Sequence, residues 1–255
     1  MIKLTFEVNR YYLAFIILNK LNLVRKKSFR KIFKKYQDFP FFYLIYLKGT
    51  SSQEWALRII YSSNQVRNIS EELEKIFREI FRLKDFNRIL KETNIYKKIV
   101  ENQWDNNKEI VNSFLKEIIR KPLPSLDFKV IISHPSLKEG RSYPTRLIFW
   151  GHQEEWKNYS TVYLAHEIIH YIFYHYKIPF NELSHALIEL IADNELRAAL
   201  ERRAGHFYKR KLIGNPELLE LKKKIFPYWE EYLKDKNIDI VSFYYQLAKK
   251  IKYKS

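Results

Sequence analysis

The chain contains no cysteine, only five glycines and a single methionine among its 255 residues. The absence of thiols excludes disulfide bonds and thiolate metal sites, so any metal ion would be held by His, Asp or Glu side chains. Few glycines leave few positions for tight turns, which favours a mainly helical protein. Abundant lysine with few thermolabile residues is typical of thermophile composition.

Long apolar runs are also missing. The apolar stretches 11–18 and 41–47 are much shorter than the roughly 20 residues that span a bilayer. Glu7 and Arg10 interrupt the region where a secretory signal needs an unbroken apolar core. We therefore expect a soluble, cytoplasmic protein with no membrane span.

Positive charge dominates the chain, with a net charge of +17 and a pI near 9.7. Such a surface attracts nucleic acid, anionic membranes or acidic partners. The densest basic run, 25–35, carries Phe29, Ile32 and Phe33 between its lysines and arginines. This spacing predicts an amphipathic helix with one basic face. A solvated helix face is the simpler interpretation, and a nucleic-acid surface is the alternative.

Hydrophobic periodicity predicts a mainly helical α+β protein in two parts. Because Pro122 and Pro124 end a long helical region, we expect a mostly helical part over 1–124 and a second part over 125–255. Strands are predicted at 2–8, 128–133 and 146–150, and a loop at 134–144. The segments 41–48 and 55–62 fit a hairpin, although 55–57 is also compatible with a helix. Helices are predicted at 10–24, 25–35, 86–102, 106–120, 160–176, 182–204 and 239–252, with one more beginning near 70. Another helix begins at Asn215-Pro216 and is expected to break at Pro227.

The sequence His166-Glu167-Ile168-Ile169-His170 lies within the helix predicted at 160–176, where Ser160 is the expected N-cap. Two histidines four residues apart share one face of a helix, so their imidazoles can converge on one metal ion. Glu167 lies at a neighbouring angle, within reach of a water on that metal. This pattern is the HExxH motif of zinc hydrolases.

A catalytic zinc needs a third protein ligand. Phe173 and Tyr176 occupy the positions that a metzincin would use, so that arrangement is excluded. His185 and the carboxylate of Glu189 are the remaining candidates. Glu189 and Asp193 share a helix face among apolar residues, where a buried acidic pair needs a cation. Asp193 can also accept a hydrogen bond from the far nitrogen of a metal-bound histidine.

With Glu189-x-x-x-Asp193 following it, the HExxH motif resembles that of the gluzincin metallopeptidases, the group that includes thermolysin. The sub-pattern Glu-x-x-Ala-Asp also resembles that of the Ste24-like peptidases. The resemblance covers roughly 128–205. It implies a zincin-like core with a small mixed sheet, an active-site helix and a glutamate helix. It also implies one Zn²⁺ per chain, with His166, His170 and Glu189 as ligands and Asp193 as the partner of His166.

The resemblance further implies a peptide or protein substrate, with Glu167 as general base. It also implies that 146–150 is the edge strand that would bind an extended substrate by its backbone. The strand residues concerned are Leu147, Ile148, Phe149 and Trp150. His185 is the first candidate for stabilising the oxyanion, because it lies one turn before Glu189. Arg197, His206 and Tyr208 are the others. The alternative function is an inactive zincin-fold protein that binds nucleic acid or a partner through its basic surface.

Overall fold

A computed structural model describes residues 2–36, 71–143, 145–201 and 214–253. The predicted hairpin lies outside these residues, as do His206 and Tyr208. In the described part of the chain, no helix is long and apolar enough to cross a membrane.

The described residues form four strands and ten α-helices, in a mainly helical α+β fold. The strands are β1 (Ile2–Glu7), β2 (Leu126–Ile132), β3 (Glu139–Tyr143) and β4 (Leu147–Gly151). The helices of the first half are α1 (Arg10–Asn19), α2 (Leu21–Val24), α3 (Lys27–Tyr36), α4 (Glu71–Phe81) and α5 (Lys84–Ile119). Those of the second half are α6 (Tyr159–His175), α7 (Glu182–Glu189), α8 (Arg197–Leu200), α9 (Leu219–Lys234) and α10 (Ile240–Lys250). A π-helical segment, Leu190–Leu196, joins α7 to α8, and 3₁₀ turns lie at Pro135–Leu137 and Pro216–Leu218.

The four strands form one mixed sheet in the order β1-β2-β4-β3. β1 and β4 run parallel to β2, and β3 pairs antiparallel with β4. β4 is therefore paired on both sides, and the edge position expected for Leu147, Ile148, Phe149 and Trp150 is wrong. A strand bonded on both sides has no free backbone groups for a substrate. The edge strands are β1 and β3, and β3 is the one beside β4, at a position where the sequence suggested a loop.

Helices cover both faces of the sheet. Successive side chains of a strand point to opposite faces, and both sets are buried here, so each face presents an apolar surface to helices. Ile131 and Phe149 pack with α1, α3 and α4 in one core cluster. Val130 and Ile148 point to the other face, where they pack with α6 and α7. The sheet thus supports α6, the motif helix, on a rigid apolar layer.

Two expected helix breaks are absent. The chain has no glycine or proline between 84 and 119, and α5 is one continuous helix of 36 residues where two were predicted. α9 also continues through Pro227, which lies inside it. The division at 124 stays a prediction, although β1 pairs with β2 across it, from Ile2 opposite Leu126 to Glu7 opposite Ile131.

Candidate metal centre

The motif helix α6 is fixed at its start by hydrogen bonds from neighbouring elements. Asn158 precedes it with a φ of 66°, and the helix begins at Tyr159. Ser160 is therefore inside the first turn and is not the N-cap that the sequence suggested. Its hydroxyl accepts a hydrogen bond of 2.8 Å from the indole of Trp150 on β4 and bonds to the carboxylate of Glu154. These bonds set the rotation of α6 over the sheet.

Three histidines meet above the sheet. The Nε2 atoms of His166 and His170 lie 3.1 Å apart, one turn apart on α6. His185 on α7 completes the group, since one ligand atom from each of the three lies within 4.8 Å of the others. Two imidazole nitrogens bound to tetrahedral zinc at about 2.0–2.1 Å lie about 3.3 Å apart. The spacing of the α6 pair therefore fits a metal ion, whose identity the histidines alone do not fix.

Burial keeps the three imidazoles neutral. It lowers the pKa of His166 well below its usual value, and repulsion from His170 and His185 adds to the effect. Burial likewise lowers the pKa of His170 to about 4 and lowers that of His185. Metal-binding histidines must be unprotonated. The triad is thus in the correct protonation state at neutral pH.

Helix α7 is positioned by a capping box. The side chain of Asn181 accepts a hydrogen bond of 3.0 Å from the amide of Ser184, whose hydroxyl accepts one of 3.0 Å from the Asn181 amide. His185 lies directly after this first turn, and Glu189 is the last residue of α7. The helix then widens into the π-helical segment, a distortion that is frequent at functional sites.

Glu189 is buried but stands outside the histidine cluster. Its Oε1 lies 3.9 Å from Nε2 of His185 and accepts a hydrogen bond of 3.0 Å from the amide of Asn215. Its Oε2 forms an ion pair with Lys222, which is also buried. The buried acidic pair expected to require a metal ion is thus compensated by a lysine. The structure brings His185, rather than Glu189, to the two motif histidines.

Asp193 is buried in the π-helical segment. Neither of its oxygens has a hydrogen-bond partner among the described residues, and neither does Nδ1 of His166, so the predicted bond between them is not formed. Burial raises the pKa of Asp193 to about 8, and the charge of Glu189 adds to this rise. The side chain is therefore largely protonated at neutral pH.

Glu167 lies between the triad and the edge strand β3. Burial raises the pKa of its carboxyl to about 7, although hydrogen bonds from the amide and hydroxyl of Ser142 act in the opposite direction. A carboxyl with a pKa near neutrality can both accept and release a proton. Ser142 belongs to β3 and was not singled out by the sequence, because β3 is too polar to resemble a strand.

These residues line a cavity of about 910 Å³. Its walls are rich in aromatic side chains, including Trp150, Trp156, Tyr163 and Phe180. Phe180 is 82% exposed, and its ring centroid lies 5.6 Å from that of His170. Arg197, another oxyanion candidate, instead lies over the ring of Trp156 at 3.7 Å. The cavity is large enough for an extended ligand that reaches the triad.

Comparison with protein-family models, with curated proteins and with solved structures found no match to this chain.

Proposed function

We propose that the protein is a zinc-dependent peptidase that has the HExxH motif of the gluzincins but uses His185, in place of Glu189, as its third metal ligand. The observation that carries the proposal is the position of Glu167, beside three neutral histidines and against the free edge of a sheet. A metal site with a purely structural role would not require a carboxyl group beside its ligands. A carboxyl with a pKa near 7 beside a metal site is the arrangement that hydrolysis by an activated water requires.

The residues have distinct roles in this proposal. His166, His170 and His185 would hold the zinc, which when bound lowers the pKa of a water to about 7. Glu167 accepts the proton of the attacking water and passes it to the leaving amine. Ser142 holds the Glu167 carboxylate in place from β3.

The edge strand supplies the substrate-binding surface. The amide of Ser142 bonds to Glu167 and so points away from β4. Outward-facing residues alternate along an antiparallel edge, so Gly140 presents its backbone on the same side. A substrate strand would pair with the backbone of Gly140 by β-augmentation, because the amide of Ser142 is already bonded to Glu167. The aromatic walls of the cavity would enclose its apolar side chains.

Substitution Glu167→Gln tests the catalytic proposal. We expect the variant to bind one zinc per chain, as does the wild type, and to lose peptide hydrolysis by at least about a hundredfold because the general base is removed. The measurements are metal analysis and cleavage of a peptide library. Glu155→Gln makes the same chemical change on the rim of the same cavity and should retain activity.

The histidines require a separate control. His185→Ala should lose the zinc, whereas a variant that retains it would show that His185 is not a ligand. Zinc-loaded wild-type protein that cleaves nothing in a broad library would refute the peptidase proposal.

A second candidate function rests on α3. Its basic residues Lys27, Arg30, Lys31 and Lys34 are exposed, and none forms an ion pair with an acidic residue in the described ranges. These four side chains form the basic face of α3, which would bind a polyanion. It is independent of the metal centre.

A further inference from the structure

Lys222 is an unusual neighbour for a metal site. It lies on α9, 33 positions after Glu189 in the chain, and is only 1% exposed. Its ammonium forms an ion pair with Oε2 of Glu189. A buried lysine is costly unless it is paired with an opposite charge. The ion pair therefore joins α7 to α9 within the protein interior.

The chain before Lys222 fits closely around the same carboxylate. Asn215 donates its amide to Oε1 of Glu189 at 3.0 Å. Gly214 has a φ of +104°, and a Cβ atom there would lie 2.3 Å from Oε2 of Glu189. Glu189 thus has donors on both oxygens and is held in place without a metal ion.

The buried charges balance in this arrangement. Lys222 and Glu189 contribute one charge of each sign to the buried ion pair. A second cation entering the triad would be repelled by Lys222 and attracted by Glu189.

We propose that Lys222 is a built-in cation that competes with the metal ion for Glu189. When the metal site is empty, Lys222 neutralises the buried carboxylate and keeps Glu189 away from the triad. Loss of Lys222 frees Glu189 to act as an additional metal ligand. This inference rests on the metal centre of the proposed function but not on any hydrolytic activity.

Metal affinity measured by competition with a chromophoric chelator tests the inference. We expect Lys222→Met to bind Zn²⁺ on the order of tenfold to a hundredfold more tightly than wild type, the range in which groups around a ligand set alter affinity. Lys223→Met is the matched control, because Lys223 is exposed and pairs with Glu220 at 2.6 Å. It should leave the affinity unchanged.

A double-mutant cycle separates competition from simple repulsion. In a Glu189→Gln background, Lys222→Met should no longer tighten binding, because the competing carboxylate is gone. A gain of the same size in both backgrounds would overturn the competition, as would a Lys222→Met variant that binds zinc no more tightly than wild type.

Unfolding of the metal-free variants tests the role of Lys222 as a compensating cation without any metal. Lys222→Met should lower the melting temperature by roughly 10 °C, because an unpaired buried carboxylate remains. Glu189→Gln should recover part of this loss in the double variant. If Lys222→Met has the same melting temperature as wild type and Lys223→Met, the compensating role is refuted. A failure of peptide cleavage would refute the proposed function but would not change the expected metal affinities or melting temperatures.

Discussion

Gly214 shows how strictly the surroundings of Glu189 are constrained at the level of single residues. Its φ of +104° lies in a region that residues with a Cβ rarely adopt. A Cβ at this position would also lie 3.0 Å from Oδ2 of Asp193. The residue therefore serves both a turn and a close approach of backbone to two buried carboxyl groups.

We expect Gly214→Ala to destabilise the protein by about 2 kcal/mol or more, since backbone strain of this kind alone costs about 1–3 kcal/mol. The measurement is the free energy of unfolding from a denaturant titration. Asn237→Ala, a change to alanine in an exposed turn, is the control and should stay within about 0.5 kcal/mol of wild type. Equal stability of the two variants would show that the 214 backbone relaxes without strain.

The spacing of His166 and His170 was sufficient to predict that their side chains lie together in the candidate metal centre, because helix periodicity fixes their direction. The third metal ligand was harder to predict. His185 and Glu189 differ by one turn of the same helix, and the resemblance to gluzincins favoured Glu189. The deciding partner, Lys222, is distant in sequence, so no local pattern could identify it.

At the scale of elements, capping side chains fix where helices begin, and the N-cap of α10 is a clear example. The side chain of Asp239 accepts hydrogen bonds of 2.9 Å and 3.0 Å from the amides of Val241 and Ser242. Burial acts to raise the pKa of Asp239, but these bonds and Lys121 outweigh it and lower the pKa below its usual 3.8. The ionised carboxylate therefore stabilises the folded state.

We expect Asp239→Ala to cost about 1 kcal/mol at neutral pH, the typical contribution of an N-cap. A lowered folded-state pKa means that this stabilisation is complete above the unfolded-state pKa and is lost as pH falls through the folded-state pKa. The difference in unfolding free energy between wild type and variant should thus shrink below about pH 3.8. A difference that stays constant down to pH 2 would contradict the linkage.

The elements themselves were predictable where periodicity was strong. α6, β2 and β4 lie close to their predicted bounds, since each has a clear apolar pattern, whereas the single helix predicted over 10–24 is divided into α1 and α2. β3 was missed because its Glu139 is buried yet charged, and is compensated by Lys20 and Arg141. Such tertiary pairing reverses the local preference for a loop, and it cannot be read from neighbouring residues.

At the scale of the whole molecule, the candidate metal centre and the basic face of α3 lie on opposite sides of the sheet. The triad and its cavity lie on the face of the sheet covered by α6 and α7, whereas α3 packs in the cluster on the opposite face. The excess of 17 positive charges is spread over the chain, but the basic face gathers four of them on ten residues. Binding of a polyanion there would leave the cleft accessible.

The packing of α3 favours nucleic acid over a membrane as its partner. Phe29, Ile32 and Tyr36, the apolar side of the helix, are buried in the protein core. An interfacial helix instead inserts its apolar side into the lipid. With that side occupied, only the electrostatic attraction of the basic face remains, and this matches the phosphate backbone of DNA or RNA.

We therefore expect duplex DNA to bind with an affinity that falls steeply as salt rises. Replacing Lys27, Arg30, Lys31 and Lys34 by glutamine should reduce the slope of log K against log salt by up to about one per charge removed. The control replaces Lys91, Lys98, Lys234 and Lys252, which are exposed elsewhere, by glutamine. Both variants lose four charges, so a difference between them measures the basic face and not the net charge. Equal weakening in the two would mean that the DNA is attracted by the overall charge alone, and the second candidate function would then be abandoned.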